Sequence, residues 1–264
     1  MLLFGLFGNP VSHSISPRLH NATFQAFNLD GCCYGRFPII EPSTLFSTFH
    51  ALHFEGANVT VPHKEVAYEG CDEVRGIARN IGAVNTLVRE GTRVIGYNTD
   101  AEGFYQSIAS FGTLNNALIL GAGGTAKAIA MILKEKGVDT TILNRSPQRL
   151  SFFEENGFTC KTWDSFTCKA YDLIINTTSA GLKDEELPCP KELLHTLLSQ
   201  ARYAFDVIYN QQTPFLKSAH AHHLTCKDGK EMLLYQAVLA FNLFFGNRFD
   251  AKKIESVMRP IFEL

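Results

Sequence analysis

An α/β fold in two domains, the second carrying a doubly wound parallel sheet, is predicted from three observations. Apolar runs such as LLFGLF, CCYGRF and NVTV alternate with helical patterns from residue 2 to about residue 98. NALILGAGGTAKAIAMILKEKGVDTTILNRS then reads as strand, glycine turn, helix, glycine turn and strand, which is one βαβ unit. Two further apolar runs, DLIINTTS and YAFDVIY, separated by helical segments such as PKELLHTLLSQ, extend that sheet. A chain of 264 residues is long enough to bury a core in each of two such domains.

Taken in order, MLLFGLFGNP is apolar but short, has no basic flank and is stopped by Gly8, Asn9 and Pro10, so it is expected as a buried strand rather than a signal peptide. PRLHNATFQAF puts Leu19, Ala22, Thr23 and Ala26 on one helical face, with Ser16 before Pro17 suited to the N-cap. In NVTVPHK, Val59 and Val61 alternate with Asn58 and Thr60, so a strand would bury the valines and turn the amide and hydroxyl to the other face. Pro62 has no N–H to continue the ladder, and Lys64 follows at the mouth of that polar face. NTLVREGTRVIGYNTD reads as a hairpin turning at Glu90-Gly91, after which Asp100 is expected to cap a helix through Phe104 and Ile108. A domain boundary fits here. The last part, from Lys230 to Phe245 and from Lys252 to Ile261, reads as helix. On its face Gln236 shares a stripe with Met232, Leu239, Ala240 and Leu243, and a buried amide must find partners.

Lys and Arg number 24 against 26 Asp and Glu, so no basic field exists to bind nucleic acid or an anionic membrane. A small-molecule partner fits better. Seven cysteines, odd in number and without C-x-x-C, suggest neither a disulfide framework nor zinc, and fit a reducing cytoplasm. His220, His222, His223 and Cys226 match no familiar zinc spacing, so no metal is expected. LLYQAVLAFNLFF is interrupted by Gln236 and Asn242 and is too short to span a membrane.

Gly121, Ala122, Gly123, Gly124, Thr125 and Ala126 form G-x-G-x-x-G/A between a strand and a helix. Gly121 permits the tight turn, Gly123 lets backbone approach a pyrophosphate, and Ala126 allows close helix–strand packing over a helix N-terminus that attracts anions. This is the dinucleotide fingerprint of a Rossmann-type domain. About 20 residues onward, where NAD enzymes carry an acid for the ribose, the chain reads Asn144-Arg145-Ser146 with Arg149 a turn later. Guanidinium groups suit a 2′-phosphate, so NADP is favoured over NAD. Ser146-Pro147 also suits an N-cap and first helical residue.

A nicotinamide moves hydride, and another group must exchange the proton on the reacting oxygen. Lys64 with Asp100 would make such a pair, and Asn85, Ser14 and Ser16 also end or follow apolar runs. At this point the chain resembles the shikimate dehydrogenase family, on GNPVSHSISP (8–17), NVTVPHK (58–64), GAVNTL (82–87), GYNTD (96–100), GAGGTAKA (121–128), NRS (144–146), NTTSAGL (176–182) and DGKEMLLYQA (228–237). The resemblance implies reversible, NADPH-dependent reduction of 3-dehydroshikimate to shikimate, in aromatic amino-acid and chorismate biosynthesis. It implies Lys64 and Asp100 as the catalytic pair, and Ser14, Ser16, Asn58, Thr60, Asn85, Asn98, Gln236 and Tyr209 as substrate contacts. Thr178, Val207 and Gly229 join the cofactor contacts by the same match. It further implies a substrate domain of residues 1–99 and 237–264, to which the C-terminal helices return, and an NADP domain of residues 100–236. His63 stands where Phe is common in the family, and the segment around the fifth strand reads VIYNQQTPF.

Two other readings stay open. A quinate/shikimate dehydrogenase with broader substrate or NAD use is opposed by Ser14 with Ser16 and by Arg145 in place of an acid. A non-catalytic NADP-binding regulator is opposed by Lys64, Asp100 and Gln236. Both a monomer and a homodimer are compatible with the sequence.

Overall fold

The computed structural model describes residues 1–209 and 211–263; Asn210, within the VIYNQQTPF segment, and Leu264 lie outside it. The chain divides into two compact units, Met1–Gly103 with Leu233–Leu264, and Phe104–Met232.

The first unit runs β1 (Leu2–Gly8), α1 (Ser16–Ala26), β2 (Cys32–Pro38), α2 (Leu45–Ala51), β3 (Phe54–Val59), α3 (Lys64–Gly70), β4 (Glu73–Val74), α4 (Ala78–Ile81), β5 (Thr86–Glu90) and β6 (Arg93–Tyr97). α5 (Asp100–Ser107) follows. Its sheet has the order β2-β1-β3-β5-β6-β4. β1, β2 and β3 are parallel, and the β5–β6 hairpin runs antiparallel within the same sheet. Gly91 opens the hairpin turn with φ +66, a conformation that favours glycine.

The strand expected over NVTV stops at Val59. Thr60 N–H donates to Phe7 O at 2.8 Å and Asn9 N–H donates to Val61 O at 3.1 Å, after which Pro62 offers no donor. Val59 is buried as expected, whereas Val61 is 66% exposed. The inward face of α1 is also rotated from expectation. Leu19, His20, Thr23 and Phe24 are buried and Ala26 is exposed. The larger apolar surface decides this, because Phe24 packs on Phe4 and Phe241 with ring centroids 5.3 and 5.6 Å away.

The second unit continues with β7 (Asn116–Leu120), α6 (Gly124–Glu135), β8 (Asp139–Leu143), α7 (Ser151–Glu155), β9 (Thr159–Lys161), β10 (Leu173–Asn176), α8 (Lys191–Leu198), β11 (Tyr203–Asp206), α9 (Pro214–Ala221) and β12 (Thr225–Lys227). All its strands are parallel, in the order β12-β11-β10-β7-β8-β9. That is a doubly wound sheet whose order reverses between β7 and β10, where ligands of such sheets bind. Its core gathers Leu118, Leu120, Ile174, Leu194, Leu197 and Phe215.

Two helices finish the chain, α10 (Lys230–Phe244) and α11 (Ala251–Met258). α11 stops short of the expected Ile261, since Pro260 cannot donate within a helix and the chain tightens into a 3₁₀ turn over Arg259–Glu263. The buried stripe of α10 is Leu234, Ala237, Val238 and Phe241, packed with Phe4, Leu19 and Phe24 of the first unit. Leu239 and Leu243 are only half-buried, so Gln236 borders the core instead of entering it.

Candidate active site

Because β5 runs against both β3 and β6, the segments after β1, after β3, before β5 and after β6 emerge at one end of the first sheet. They carry Ser14 and Ser16, Thr60 and Lys64, Asn85, and Asn98 and Asp100. The pair anticipated from sequence is formed here. Lys64 Nζ lies 2.6 Å from Asp100 Oδ2, with the two side chains 21% and 13% exposed. Each is the first residue of its helix, α3 and α5.

Asp100 is not the cap of α5. Asn98 Oδ1 accepts from the N–H groups of Asp100 at 3.1 Å and Ala101 at 3.2 Å, while its Nδ2 donates to Ala83 O at 3.0 Å. A capping oxygen must precede the first helical N–H groups, and Asn98 stands in that place. The Asp100 carboxylate is thereby left to face the lysine. On the other side, Lys64 O accepts from Val84 N–H at 2.9 Å, fixing the start of α3 against the chain entering β5.

A buried polar network lies beneath the pair. Asn85 Oδ1 accepts from Thr99 N–H at 2.8 Å and Thr86 Oγ1 at 3.0 Å, and Asn85 Nδ2 donates to Thr99 Oγ1 at 3.0 Å. Asn58 Nδ2 donates to Thr86 Oγ1 at 3.1 Å and its Oδ1 accepts from Tyr34 Oη at 2.8 Å. Tyr34 in turn stacks on His20, centroids 4.3 Å apart and planes within 7°. Burial pushes the Tyr34 phenol well up and the His20 imidazole down to about 3, so both are neutral near pH 7. Satisfied networks of this kind are stiff, because any member that turns leaves a buried group unpaired. Tyr34, Thr86 and Thr99 were not among the residues expected from sequence. Thr99 had a signal in its place beside Asp100, whereas Tyr34 comes from a strand with no motif.

Ser14 Oγ donates to Ser16 Oγ at 3.1 Å and accepts from Ser16 N–H at 3.2 Å. Ser16 is therefore inside α1 rather than its cap, the cap position falling to Ile15. Thr60 is half-buried, and among the described residues its hydroxyl makes no hydrogen bond. Gln236 Nε2 donates to Leu233 O of its own helix at 2.8 Å. A β-carbon added to Gly103 would lie 2.8 Å from Gln236 N, so α10 abuts α5 one turn beyond Asp100. His63 is buried with Nε2 donating to Ile39 O at 2.7 Å, which holds the ring as a packed aromatic.

In the second unit Gly121 follows β7 with φ +108, and a β-carbon there would meet Thr177 Oγ1 at 2.7 Å. Gly123 and Gly124 differ from it, since a β-carbon on either meets no heavy atom within 4 Å. Ala122 belongs to the same turn, Thr125 is the second residue of α6, and Ala126 is buried where α6 packs on the sheet. No side chain caps α6. Its first N–H groups thus face an open cradle beside the strand reversal, which fits a pyrophosphate. At the end of β8, Asn144 Nδ2 donates to Ser146 O at 2.8 Å, tightening the turn that presents Arg145 and Arg149. Both arginines are exposed, and neither has an ion-pair partner among the described residues. Ser146 does hold the N-cap place, without a side-chain cap bond.

The ends of β10 and β11 carry a second buried network that sequence reading missed. Asp206 accepts from Thr213 Oγ1 at 2.6 Å, Ile208 N–H at 3.0 Å and Asn176 Nδ2 at 3.1 Å. Burial raises its carboxyl pKa above the usual range, and these donors pull it back. The available signal was a polar residue closing each apolar run, Asn176 and Asp206. Thr178 is fixed by donating its hydroxyl to Asn176 Oδ1 at 2.7 Å. Gly229 has no room for a side chain, because a β-carbon would come within 2.2 Å of Val207 O. Tyr209 is half-buried in this unit, apart in the chain from the other expected substrate contacts.

Residues 6–87 match the family model of the shikimate dehydrogenase substrate-binding domain. A shikimate dehydrogenase (NADP⁺) of Helicobacter hepaticus is 49% identical over 96% of this chain and 94% of its own length. One from Helicobacter pylori strain 26695 is 46% identical over 98% of each chain. Among solved structures, a shikimate 5-dehydrogenase from Thermus thermophilus, in complex with NADP(H) and shikimate, superposes with TM-score 0.84 at 35% identity over 98% of this chain and 99% of that one. With near-complete coverage on both sides and identity far above the level at which folds alone are shared, the chain belongs to the shikimate dehydrogenase family.

Proposed function

We propose that the chain catalyses the reversible NADPH-dependent reduction of 3-dehydroshikimate to shikimate, with Lys64 moving the proton and Asp100 holding Lys64 in place. The observation that carries the reading is the 2.6 Å contact between Lys64 Nζ and Asp100 Oδ2 at the end of the sheet where the expected substrate residues emerge. When bound, NADPH supplies the hydride. In the reducing direction the Lys64 ammonium donates a proton to the substrate's carbonyl oxygen, which becomes the new hydroxyl. In the oxidising direction the neutral amine takes that proton back. Asp100 accepts from Nζ throughout and so limits the positions the flexible lysine stem can sample.

The first unit is assigned the substrate. Ser14, Ser16, Thr60, Gln236 and one face of the Asn58, Asn85 and Asn98 framework would meet its carboxylate and hydroxyls. The second unit is assigned NADP. Gly121 to Ala126 would lie along the pyrophosphate, Asn144, Arg145, Ser146 and Arg149 at the 2′-phosphate, and Thr178, Val207 and Gly229 toward the nicotinamide end. The free state of all seven cysteines supports a cytoplasmic setting.

The test is reduced-nicotinamide absorbance with purified protein, crossing shikimate and quinate with NADP and NAD. Turnover fastest with shikimate and NADP is expected. Equal turnover with quinate or NAD would defeat the specificity assignment to Ser14, Ser16 and Arg145, and no turnover with any pair would defeat the enzymatic one.

A further inference from the structure

Two imidazoles that the proposed reaction does not use meet on the surface of the second unit. His195, in the last turn of α8, places Nδ1 2.5 Å from Nε2 of His222, the residue that ends α9. The ring centroids are 4.4 Å apart and the planes are inclined by 51°. Two ring nitrogens this close hold a single proton between them, one donating and the other accepting. Once that proton leaves, each nitrogen has a lone pair turned into the gap between the two rings, and the gap is open to solvent on the His195 side.

The surroundings favour a cation there. Both residues sit at helix C-termini, where unpaired carbonyls carry partial negative charge. Imidazole is a preferred ligand of zinc-like divalent ions. We propose that His195 and His222 form a two-imidazole site for a divalent transition-metal ion of the zinc type, which clips the end of α8 to the end of α9. A tetrahedral ion with Zn–N of about 2.0–2.1 Å needs nitrogens roughly 3.4 Å apart, so the rings open by somewhat under ~1 Å as the ion enters. The shared proton leaves to solvent and waters fill the remaining positions. Among the described residues no third His, Cys, Asp or Glu joins the pair, so binding is weaker than at a structural zinc site. Cys226, on the neighbouring strand, gives its thiol to Leu224 O at 3.3 Å, and burial raises it to about 11.

Calorimetric titration of Zn²⁺ into the full-length, untagged protein tests this, in the unaltered chain and in the variants H195A, H195Q and H222A. One ion per chain is expected, with affinity weakened at least tenfold in every variant. Thermal unfolding should shift upward with Zn²⁺ only in the unaltered chain, and metal-free midpoints of the variants should stay within a few degrees of it. No binding at millimolar Zn²⁺ would overturn the proposal, as would affinity unchanged in the variants at either histidine.

Discussion

At the scale of single residues, the proposed chemistry and the scaffold fall to different side chains. Lys64 is expected to be indispensable for proton exchange, so Lys64→Ala should lower kcat by roughly 10²–10⁴-fold with shikimate KM changed far less. Asp100→Asn, which keeps a hydrogen-bonding group but removes the charge, should also lower kcat. Steady-state kinetics check both, and a near-normal kcat in Lys64→Ala would strip that residue of its role. A second expectation concerns His20, which is neutral in the fold, with its imidazole held down to about 3 by burial. In the unfolded chain it titrates near the usual value of about 6.5. Between those values the unfolded state binds more protons, so its contribution is complete above about pH 6.5 and is lost as pH falls, by up to ~1.4 kcal/mol per pH unit. Urea unfolding at pH 7, 6 and 5 should show a steeper loss in the unaltered protein than in His20→Phe; equal slopes would refute it. The lysine, the aspartate and the asparagines were legible in the sequence because short motifs fix them. Tyr34 and His20 were not, since a stacked pair 14 residues apart leaves no periodic trace, and only the fold brings the phenol to Asn58.

At the scale of elements, the glycine turn and the end of β8 were the most legible part of the chain, because each residue type there answers a local backbone or charge requirement. Arg145 is exposed without an ion-pair partner among the described residues, so removing it should cost the fold little and the cofactor much. Arg145→Ala is expected to raise KM for NADP by about tenfold or more, the value of a charge-assisted hydrogen bond, with KM for NAD nearly unchanged. Equal weakening of both cofactors would undo the 2′-phosphate assignment. Helix faces and strand ends were less legible. The expected α1 stripe is Leu19, Ala22, Thr23 and Ala26, of which Leu19 and Thr23 are buried, yet Phe24 buries far more surface than the alanines and turns the helix toward Phe4 and Phe241. Those partners come from distant elements, and no local window contains them. The cap of α5 was misplaced by two residues for a simpler reason, since Asn98, Thr99 and Asp100 are all good caps and only the structure shows which oxygen reaches the N–H groups.

At the scale of the whole molecule, the two units differ in how they are assembled from the chain. Every buried residue in the Leu118–Phe215 core comes from one continuous stretch. A fragment spanning Phe104–Met232 is therefore expected to unfold cooperatively in urea and to retain NADP binding, whereas Met1–Gly103 alone should not fold, because its core is closed by Leu234, Phe241 and Phe244. Circular dichroism of the two fragments checks this, and a cooperative transition in Met1–Gly103 would contradict it. The ring of Phe4 meets that of Phe244 at 5.1 Å across nearly the full length of the sequence. During synthesis the first strand thus leaves the ribosome long before its lid exists. The aromatic face of Phe4, Phe24 and Tyr34 must wait, solvent-facing and adhesive, while the second unit is made, and a nascent chain paused anywhere before α10 would be a client for a hydrophobic-binding chaperone.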